Sequence, residues 1–203
     1  MTDPAPARHS RHWLEYVGTF SALLISVVSL WIAIATEQAN RQMVTAASWP
    51  FIQINTSDGD GKGNRVLSFD VSNDGVGPAL IENFKVFYYG KPVRSSLALL
   101  TMCCGYDPKK GLPLNQPAVG GYQIATIPAT VIRAGESRVF FVYPKTAANA
   151  KVWEALRYAV NGRKLVAAAC YCSVFNECYQ GAFVGIHPTR VERCTPPAVP
   201  YSQ

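Results

Sequence analysis

Hydrophobic and polar positions follow two different patterns along the chain, and the first pattern is confined to the 48 amino-terminal residues. From Tyr16 to Thr36 there is no charged residue in a run of 21. At about 1.5 Å per residue, a helix of this length extends about 31 Å, which matches the hydrocarbon core of a bilayer. Trp13 and Trp31 stand towards the two ends of the run, where aromatic rings favour the headgroup layer. The pattern predicts a transmembrane helix over 16–36, continued by a helical stalk over 37–48.

Basic residues on the two sides of the span predict its orientation. Arg8 and Arg11 precede the span, whereas Arg41 alone is basic within about 20 residues after it. Because positively charged flanks stay in the cytoplasm, residues 1–15 are expected there as a short segment. The chain beyond the span is then expected in the periplasm or outside the cell, anchored in the inner membrane by a single pass.

A cleaved signal peptide is the alternative interpretation of the same segment. Ala33-Ile34-Ala35 has the small-x-small form that a signal peptidase accepts. However, the apolar stretch is longer than the roughly 7 to 15 residues of a typical signal peptide. Residues 37–47 also continue with good helix formers, which favours an uncleaved signal anchor. Both interpretations export the same domain.

Small residues recur on one face of the predicted span. At about 100 degrees per residue, five of them fall within a stripe about 80 degrees wide. They are Gly18, Ala22, Ser26, Ser29 and Ala33. Small side chains let helix backbones approach closely in lipid, so the stripe predicts a homo-oligomer or a partner membrane protein. Such residues are also common in spans without any packing role, and that alternative stays open.

Beyond the stalk, apolar residues alternate in short runs that Gly and Pro interrupt, a pattern typical of β-strands. The runs are Phe51–Asn55, Val66–Val71, Ala79–Tyr89, Tyr122–Ile132, Arg138–Tyr143, Leu165–Phe175, Tyr179–Ile186 and Thr189–Arg193. One helix over Ala147–Val160 interrupts them, with Trp153 and Leu156 at helical spacing. We therefore predict a mainly β protein in which residues 49–194 form an antiparallel β-sandwich with one inserted helix. The tail over 195–203 is rich in proline and is expected to be disordered.

Two stretches resemble a known family. Phe69–Ala79, with the spacing Val71-x-Asn73-x-Gly75, and the following Val86–Lys91 resemble the turn and strand of bacterial immunoglobulin-like domains of the cell-adhesion-related (CARDB-like) type. Arg133–Ser137, ahead of an apolar strand, resembles the same family's penultimate turn. The resemblance implies an immunoglobulin-like sandwich and a binding or spacing role. The insertion over Ser95–Gly121, the helix and the cysteine-bearing hairpin depart from the family pattern.

Composition and charge limit the class of protein. The chain is 49% hydrophobic and 16% charged, which is typical of a folded core and excludes a disordered protein. The net charge of +6 belongs to the part beyond the span, where Lys and Arg are dispersed. With an exported location and no nucleic-acid reading motif, nucleic acid is not expected as a partner. The expected partners are the lipid bilayer and membrane proteins.

Six cysteines lie beyond the span, at positions 103, 104, 170, 172, 178 and 194. An even number outside the cytoplasm predicts disulfides. We do not expect Cys103 and Cys104, which are adjacent, to bond each other. Cys170 and Cys172 lie on one face of a strand, and a turn over 173–177 returns Cys178 opposite Cys172 or Cys170. The alternative is a metal or redox site, but structural zinc prefers two residues between its cysteine ligands, not one.

Other candidate sites fail on their residues. The loop Asp58–Asn64 begins like a calcium-binding EF-hand, but Lys62 replaces an oxygen ligand and Phe69 stands where a bidentate Glu is needed. His187 is the one histidine beyond the span, and no nucleophile motif accompanies it. We therefore expect no catalytic residue, metal or cofactor. The interpretation is a non-catalytic, membrane-anchored binding or assembly module of the cell envelope, the alternative being a cysteine-dependent redox or metal-binding exported protein.

The small-residue stripe yields a prediction about association within the membrane. Replacing Ala22 and Ser26 with Leu keeps the segment hydrophobic, so insertion is expected to be unchanged, while the added bulk separates the backbones. In a two-helix membrane association assay, the double variant is expected to lose the signal of the parent span. The matched control replaces Leu23 and Val27 with Ile, off the stripe. An unchanged signal in the double variant would leave the stripe as ordinary span composition.

Overall fold

The computed structural model describes residues 9–110, 123–182 and 187–202, and the chain divides into two compact units, Met1–Ala46 and Ala47–Gln203. Helix α1, His9–Ala47, has 39 residues, and all but its last residue belong to the first unit. Between Trp13 and Ala47 this helix is long and apolar enough to cross a membrane, with a mean hydropathy of 2.2 and none of its most apolar stretch buried. Ser26 donates a hydrogen bond to the carbonyl of Ala22 at 2.8 Å, as Thr36 does to Ile32. Both hydroxyl donors are therefore satisfied within the helix and do not require water as a hydrogen-bond partner.

The second unit, which we call the β domain, is mainly β and antiparallel. Its strands are β1 (Ile52–Ser57), β2 (Val66–Asn73), β3 (Ala79–Tyr88), β4 (Lys91–Val93), β5 (Gln123–Ile124), β6 (Thr130–Ile132), β7 (Ser137–Pro144), β8 (Leu165–Cys172), β9 (Cys178–Ala182) and β10 (Thr189–Val191). Its helices are α2 (Ser96–Cys104) and α3 (Ala150–Asn161), with a short 3-10 turn at Pro108–Lys110. One sheet has the order β1-β2-β7-β5, and the other has the order β10-β9-β8-β3-β4 with β6 also paired to β3.

Most strands lie where the alternating pattern predicted them, and the differences have local causes. The expected strand over 122–132 is interrupted: β5 and β6 are separated by a turn in which Ala129 takes a positive φ of 56°. The expected strand over 179–186 is described as far as Ala182, and its remaining residues lie outside the described ranges. Residues 111–121 of the predicted insertion and Tyr122, the first residue of the expected strand over 122–132, also lie outside them.

The expectation of one inserted helix was incomplete, because the described part of the β domain contains α2 as well as α3. Helix α2 lacks an amphipathic pattern, so hydrophobic periodicity does not reveal it. The residues at its two ends do indicate a helix. Ser95 caps the amino terminus by accepting from the backbone N–H of Ala98, and Gly105 ends the helix in a left-handed conformation with φ 68°.

Side chains from both sheets share one core. Phe84 of β3 meets Phe140 of β7 edge to face, with ring centroids 5.0 Å apart. Helix α3 is anchored by Trp153, which is fully buried and donates its indole N–H to the carbonyl of Tyr143 at 3.0 Å. The predicted apolar spacing of this helix therefore places Trp153 and Leu156 in the core, as expected.

The proline-rich tail does not match the expectation of disorder. Tyr201 is 3% exposed, and its ring centroid lies 5.7 Å from that of Phe84. The hydroxyls of Tyr201 and Ser96 are 2.6 Å apart and share a hydrogen bond, and the backbone N–H of Ser202 donates to the carbonyl of Arg94 at 2.8 Å. The buried ring of Tyr201 and these hydrogen bonds hold the end of the tail, because removing the ring from water offsets part of the entropy lost by the ordered residues.

The turn between β2 and β3 is held by one buried amide. Asn73 is fully buried, and its Oδ1 accepts from the backbone N–H groups of Phe51 and Gly75, both at 3.1 Å. Its Nδ2 donates to the carbonyls of Gly77 at 2.8 Å and Ile132 at 3.0 Å. All four hydrogen-bonding positions of the side chain are therefore used, and they join the start of the β domain to β6.

The two glycines of this turn allow another backbone segment to approach. A Cβ on Gly77 would lie 2.1 Å from the carbonyl oxygen of Ser48, and one on Gly75 would lie 2.4 Å from the nitrogen of Phe51. The backbone N–H of Val76 donates to the carbonyl of Trp49 at 3.0 Å across the same contact. The sequence Asn-x-Gly-x-Gly thus packs directly against residues 48–51.

We predict that Asn73→Ala lowers the free energy of unfolding by at least about 3 kcal/mol, because it leaves buried backbone donors and acceptors without partners. The measurement is denaturant unfolding of the full-length protein in detergent. Asn55→Ala is the matched control, since the Asn55 side chain also makes two hydrogen bonds but is exposed on β1, and about 0.5 kcal/mol is expected there. Equal losses in the two variants would contradict the assigned role of Asn73.

Candidate functional site

The three disulfides of the β domain use all six cysteines of the sequence. Cys172 is bonded to Cys178, the residue directly opposite it in the register of β8 and β9. This is the first of the two pairings that the hairpin turn predicts. Cys170 is bonded instead to Cys194, and this disulfide ties β8 to the beginning of the tail.

Cys103 and Cys104 form the third disulfide, and the expectation that these neighbours do not bond each other was wrong. The pair occupies the last two positions of α2, directly before the left-handed Gly105. Because the helix ends there, the peptide that joins the two cysteines is not held inside a continuing helix. Spacing alone does not show that the pair lies at a helix end.

The other two disulfides lie side by side on β8. The Sγ atoms of Cys172 and Cys194, which belong to different disulfides, are 3.9 Å apart. Within the described ranges, the sulfurs of Cys172, Cys178 and Cys194 all lie within 4.8 Å of one another. As disulfides these sulfurs are not the thiolates that a metal binds, so the cluster can ligate a metal only after reduction.

A cavity of about 440 Å³ opens beside this cluster, between β3 and the tail. Its walls are Glu82, Asn83, Phe84, Thr126, Pro128, Cys194, Pro196, Pro197, Pro200, Tyr201 and Ser202. Strand β3 bulges here, since its register against β8 shifts between Ile81 and Asn83. The sequence did not reveal this cavity, because the fixed position of the tail depends on contacts with residues more than 100 positions away.

Asn83 is the buried polar residue of this wall. Its side chain is 7% exposed, and its Nδ2 donates to the carbonyl of Thr195 at 3.1 Å. Its Oδ1 is buried without a hydrogen-bond partner. Pro196 and Pro197, which follow Thr195, have no N–H to donate to this oxygen. The tail is therefore held over β3 by a contact that leaves one acceptor unsatisfied.

A second, separate cavity of about 400 Å³ lies at the turn of the β8–β9 hairpin. It is lined by Asn176, Glu177, Cys178, Arg190, Val191 and Glu192. The carboxylate of Glu177 accepts from the guanidinium of Arg190 at 2.9 Å, which links the hairpin turn to β10. Each of the two neighbouring disulfides thus presents one cysteine to a cavity, Cys194 to the first and Cys178 to the second.

The remaining candidate residues have structural roles. Asp60 Oδ1 accepts from the backbone N–H groups of Lys62 and Asn64, and the hydrogen bonds, first that from the Asn64 side chain, lower the pKa of Asp60. Its oxygens are therefore engaged within the loop. Burial raises the pKa of Tyr171, the residue between the two strand cysteines, to about 12, so its hydroxyl stays protonated at neutral pH. His187 is exposed.

The five residues of the small-residue stripe all lie on α1, and all are exposed. No atom outside its own helix lies within 4 Å of a Cβ built on Gly18. The helix therefore leaves the stripe open to lipid or to another helix.

Comparison with protein-family models and with curated proteins finds no match to this chain.

We predict that the two neighbouring disulfides differ in their contribution to stability. Cys170–Cys194 closes a separation of 24 residues and Cys172–Cys178 one of 6. Loop-closure entropy gives about 3.5 and 2.4 kcal/mol respectively, so replacing the first pair with Ser is expected to cost about 1 kcal/mol more. Denaturant unfolding of the two double variants measures this difference, and peptide mapping without reduction checks the wild-type pairing. A larger loss from the hairpin pair would overturn the ranking.

Proposed function

We propose that this protein is a non-catalytic, membrane-anchored binding or assembly module of the cell envelope. Helix α1 crosses the inner membrane once with its amino terminus in the cytoplasm, and the β domain lies in the periplasm or outside the cell. The observation that carries the proposal is the exposure of α1. Its large apolar side chains are bare on every side, among them Phe20, Ile25 and Trp31 at 66%, 66% and 71% exposure. Lipid covers such a surface without cost, whereas water does not.

The disulfides support the proposed compartment. Cysteines of cytoplasmic proteins are kept reduced, while three disulfides in a domain of this size are typical of an oxidising environment. The orientation with the β domain outside the cytoplasm also agrees with the basic residues before the span.

The strand order supports an immunoglobulin-like fold, and with it the CARDB-like resemblance. In constant-type immunoglobulin domains one sheet has the order A-B-E-D and the other contains C, F and G. Assigning β1, β2, β7 and β5 to A, B, E and D, and β3, β8 and β9 to C, F and G, follows both the chain order and the sheet order. Domains of this architecture commonly act through surfaces and loops, which fits a binding role.

The residues that line the two cavities favour binding over catalysis. The first cavity combines an amide, one carboxylate and a wall of proline and aromatic residues. Histidine does not occur among the described residues that line either cavity. The partners we propose are lipid around α1 and a second copy or another membrane protein along its small-residue stripe.

The proposed topology is tested with single engineered cysteines and a membrane-impermeant maleimide. Lys62→Cys, in the exposed loop between β1 and β2, is expected to react in intact spheroplasts. Ala5→Cys is expected to react only after permeabilisation. Wild-type protein is the control, since its cysteines are all paired. Labelling of Ala5→Cys but not Lys62→Cys in intact spheroplasts would show the opposite orientation. A mature protein that begins near Thr36 would show that the segment is a cleaved signal peptide and not an anchor.

A further inference from the structure

Two disulfides in contact are placed to exchange partners. Thiol–disulfide exchange needs a thiolate next to a sulfur of another disulfide, and the Sγ atoms of Cys172 and Cys194 are 3.9 Å apart. This separation is about the van der Waals contact of two sulfurs. A thiolate formed on Cys172 is therefore already beside the disulfide that holds the tail.

Access to this pair is also provided. Cys170, Cys172 and Cys178 are 6%, 7% and 6% exposed, whereas Cys194 is half-buried. Cys178 and Cys194 each contribute to the wall of a surface cavity, and the two cavities are separate. These cavities are the routes by which an external thiol approaches one member of each disulfide, and Cys172 of one disulfide is in contact with Cys194 of the other.

We propose that Cys170, Cys172, Cys178 and Cys194 form a thiol–disulfide exchange unit that moves the anchor of the tail from Cys170 to Cys172. The co-reactant is a dithiol, either a small molecule or a protein with two neighbouring thiols. This activity goes beyond the proposed binding role, and it does not depend on the orientation of the protein in the membrane.

The exchange with the dithiol proceeds in three steps. One thiolate of the dithiol bonds to the Sγ of Cys178, and the Cys172–Cys178 bond breaks to leave a thiolate on Cys172. The Sγ of Cys172 then bonds to that of Cys194, the Cys170–Cys194 bond breaks, and Cys170 leaves as a thiolate that takes a proton from water. The second thiol of the dithiol releases Cys178 as a thiol. The protein has lost one disulfide and the dithiol has become one.

The exchange has a structural consequence at the first cavity. Cys170 and Cys172 are two residues, or about 6.6 Å, apart on β8, so the exchange changes the residue that anchors the tail. The Sγ of Cys194 has to close the 3.9 Å gap to Cys172, which shifts the beginning of the tail. Thr195, whose carbonyl accepts from Asn83, follows Cys194 directly. The wall formed by Pro196 and Pro197 is therefore repositioned, and the shape of the cavity comes under redox control.

The test uses full-length wild-type protein in detergent, treated with one equivalent of dithiothreitol without oxygen. The reaction is stopped with acid and the thiols are blocked with N-ethylmaleimide. Chymotrypsin, which cuts after Tyr171 and Phe175, then places Cys170, Cys172 and Cys178 on separate peptides. We expect a peptide pair joined through Cys172 and Cys194, with Cys170 and Cys178 alkylated.

Two controls make the result specific. The Cys103–Cys104 disulfide of the same chain is remote in sequence, and neither cysteine is expected in a linked peptide with the other four. The double variant Cys172→Ser, Cys178→Ser removes the exchange partner, and one equivalent of dithiothreitol is expected to leave Cys170 and Cys194 both alkylated. If wild-type protein instead yields Cys172 and Cys178 alkylated with Cys170–Cys194 intact, or any partial reduction without a Cys172–Cys194 peptide, the proposal is overturned.

Discussion

The fold depends on one buried side-chain amide. Asn73 ends β2, and its four hydrogen bonds join the segment that enters the β domain, the turn into β3 and strand β6. A buried amide tolerates this position only when every donor and acceptor is paired, so the surrounding backbone has one permitted arrangement. The absence of a side chain at Gly75 and Gly77 is also required, because a Cβ on either would overlap residues 48–51. The chain that leaves α1 is therefore fixed at its first residues in the β domain.

Once the start of β3 is fixed, β3 organises the rest of its sheet. It pairs with β8 over most of its length and with β6 and β4 at its two ends on the other side. Its buried face contributes Phe84 to the common core, and its other face carries Asn83 beside Cys170 of β8. The tail reaches both faces, since Cys194 bonds to Cys170 and Tyr201 packs against Phe84. Contacts with β3 therefore help to position the cavity, the disulfide pair and the docked tail.

Local patterns in the sequence predicted the elements whose neighbours are close along the chain. Charge-free length predicted the apolar part of α1, alternation predicted β1, β2, β3, β7 and β8, and helical spacing predicted the buried residues of α3. Hairpin geometry restricted Cys178 to two partners, of which the structure selects Cys172. Patterns of this kind work because strand and helix periods impose burial on residues two to four positions apart. The failures include α2, which has no polar face, the Cys103–Cys104 pair at its end, and the tail that was expected to be disordered.

By itself, then, the sequence determined an apolar helix long enough for a membrane, a mainly β domain and a cysteine-bearing hairpin. Tertiary structure alone decided that the tail docks, that Cys194 joins Cys170, and that two disulfides come within 3.9 Å of each other beside a cavity. The reason is that these features join residues at least 22 positions apart, and 112 positions apart for Asn83 and Thr195. No local period encodes such contacts; they arise when the core between the two sheets fixes both partners in space.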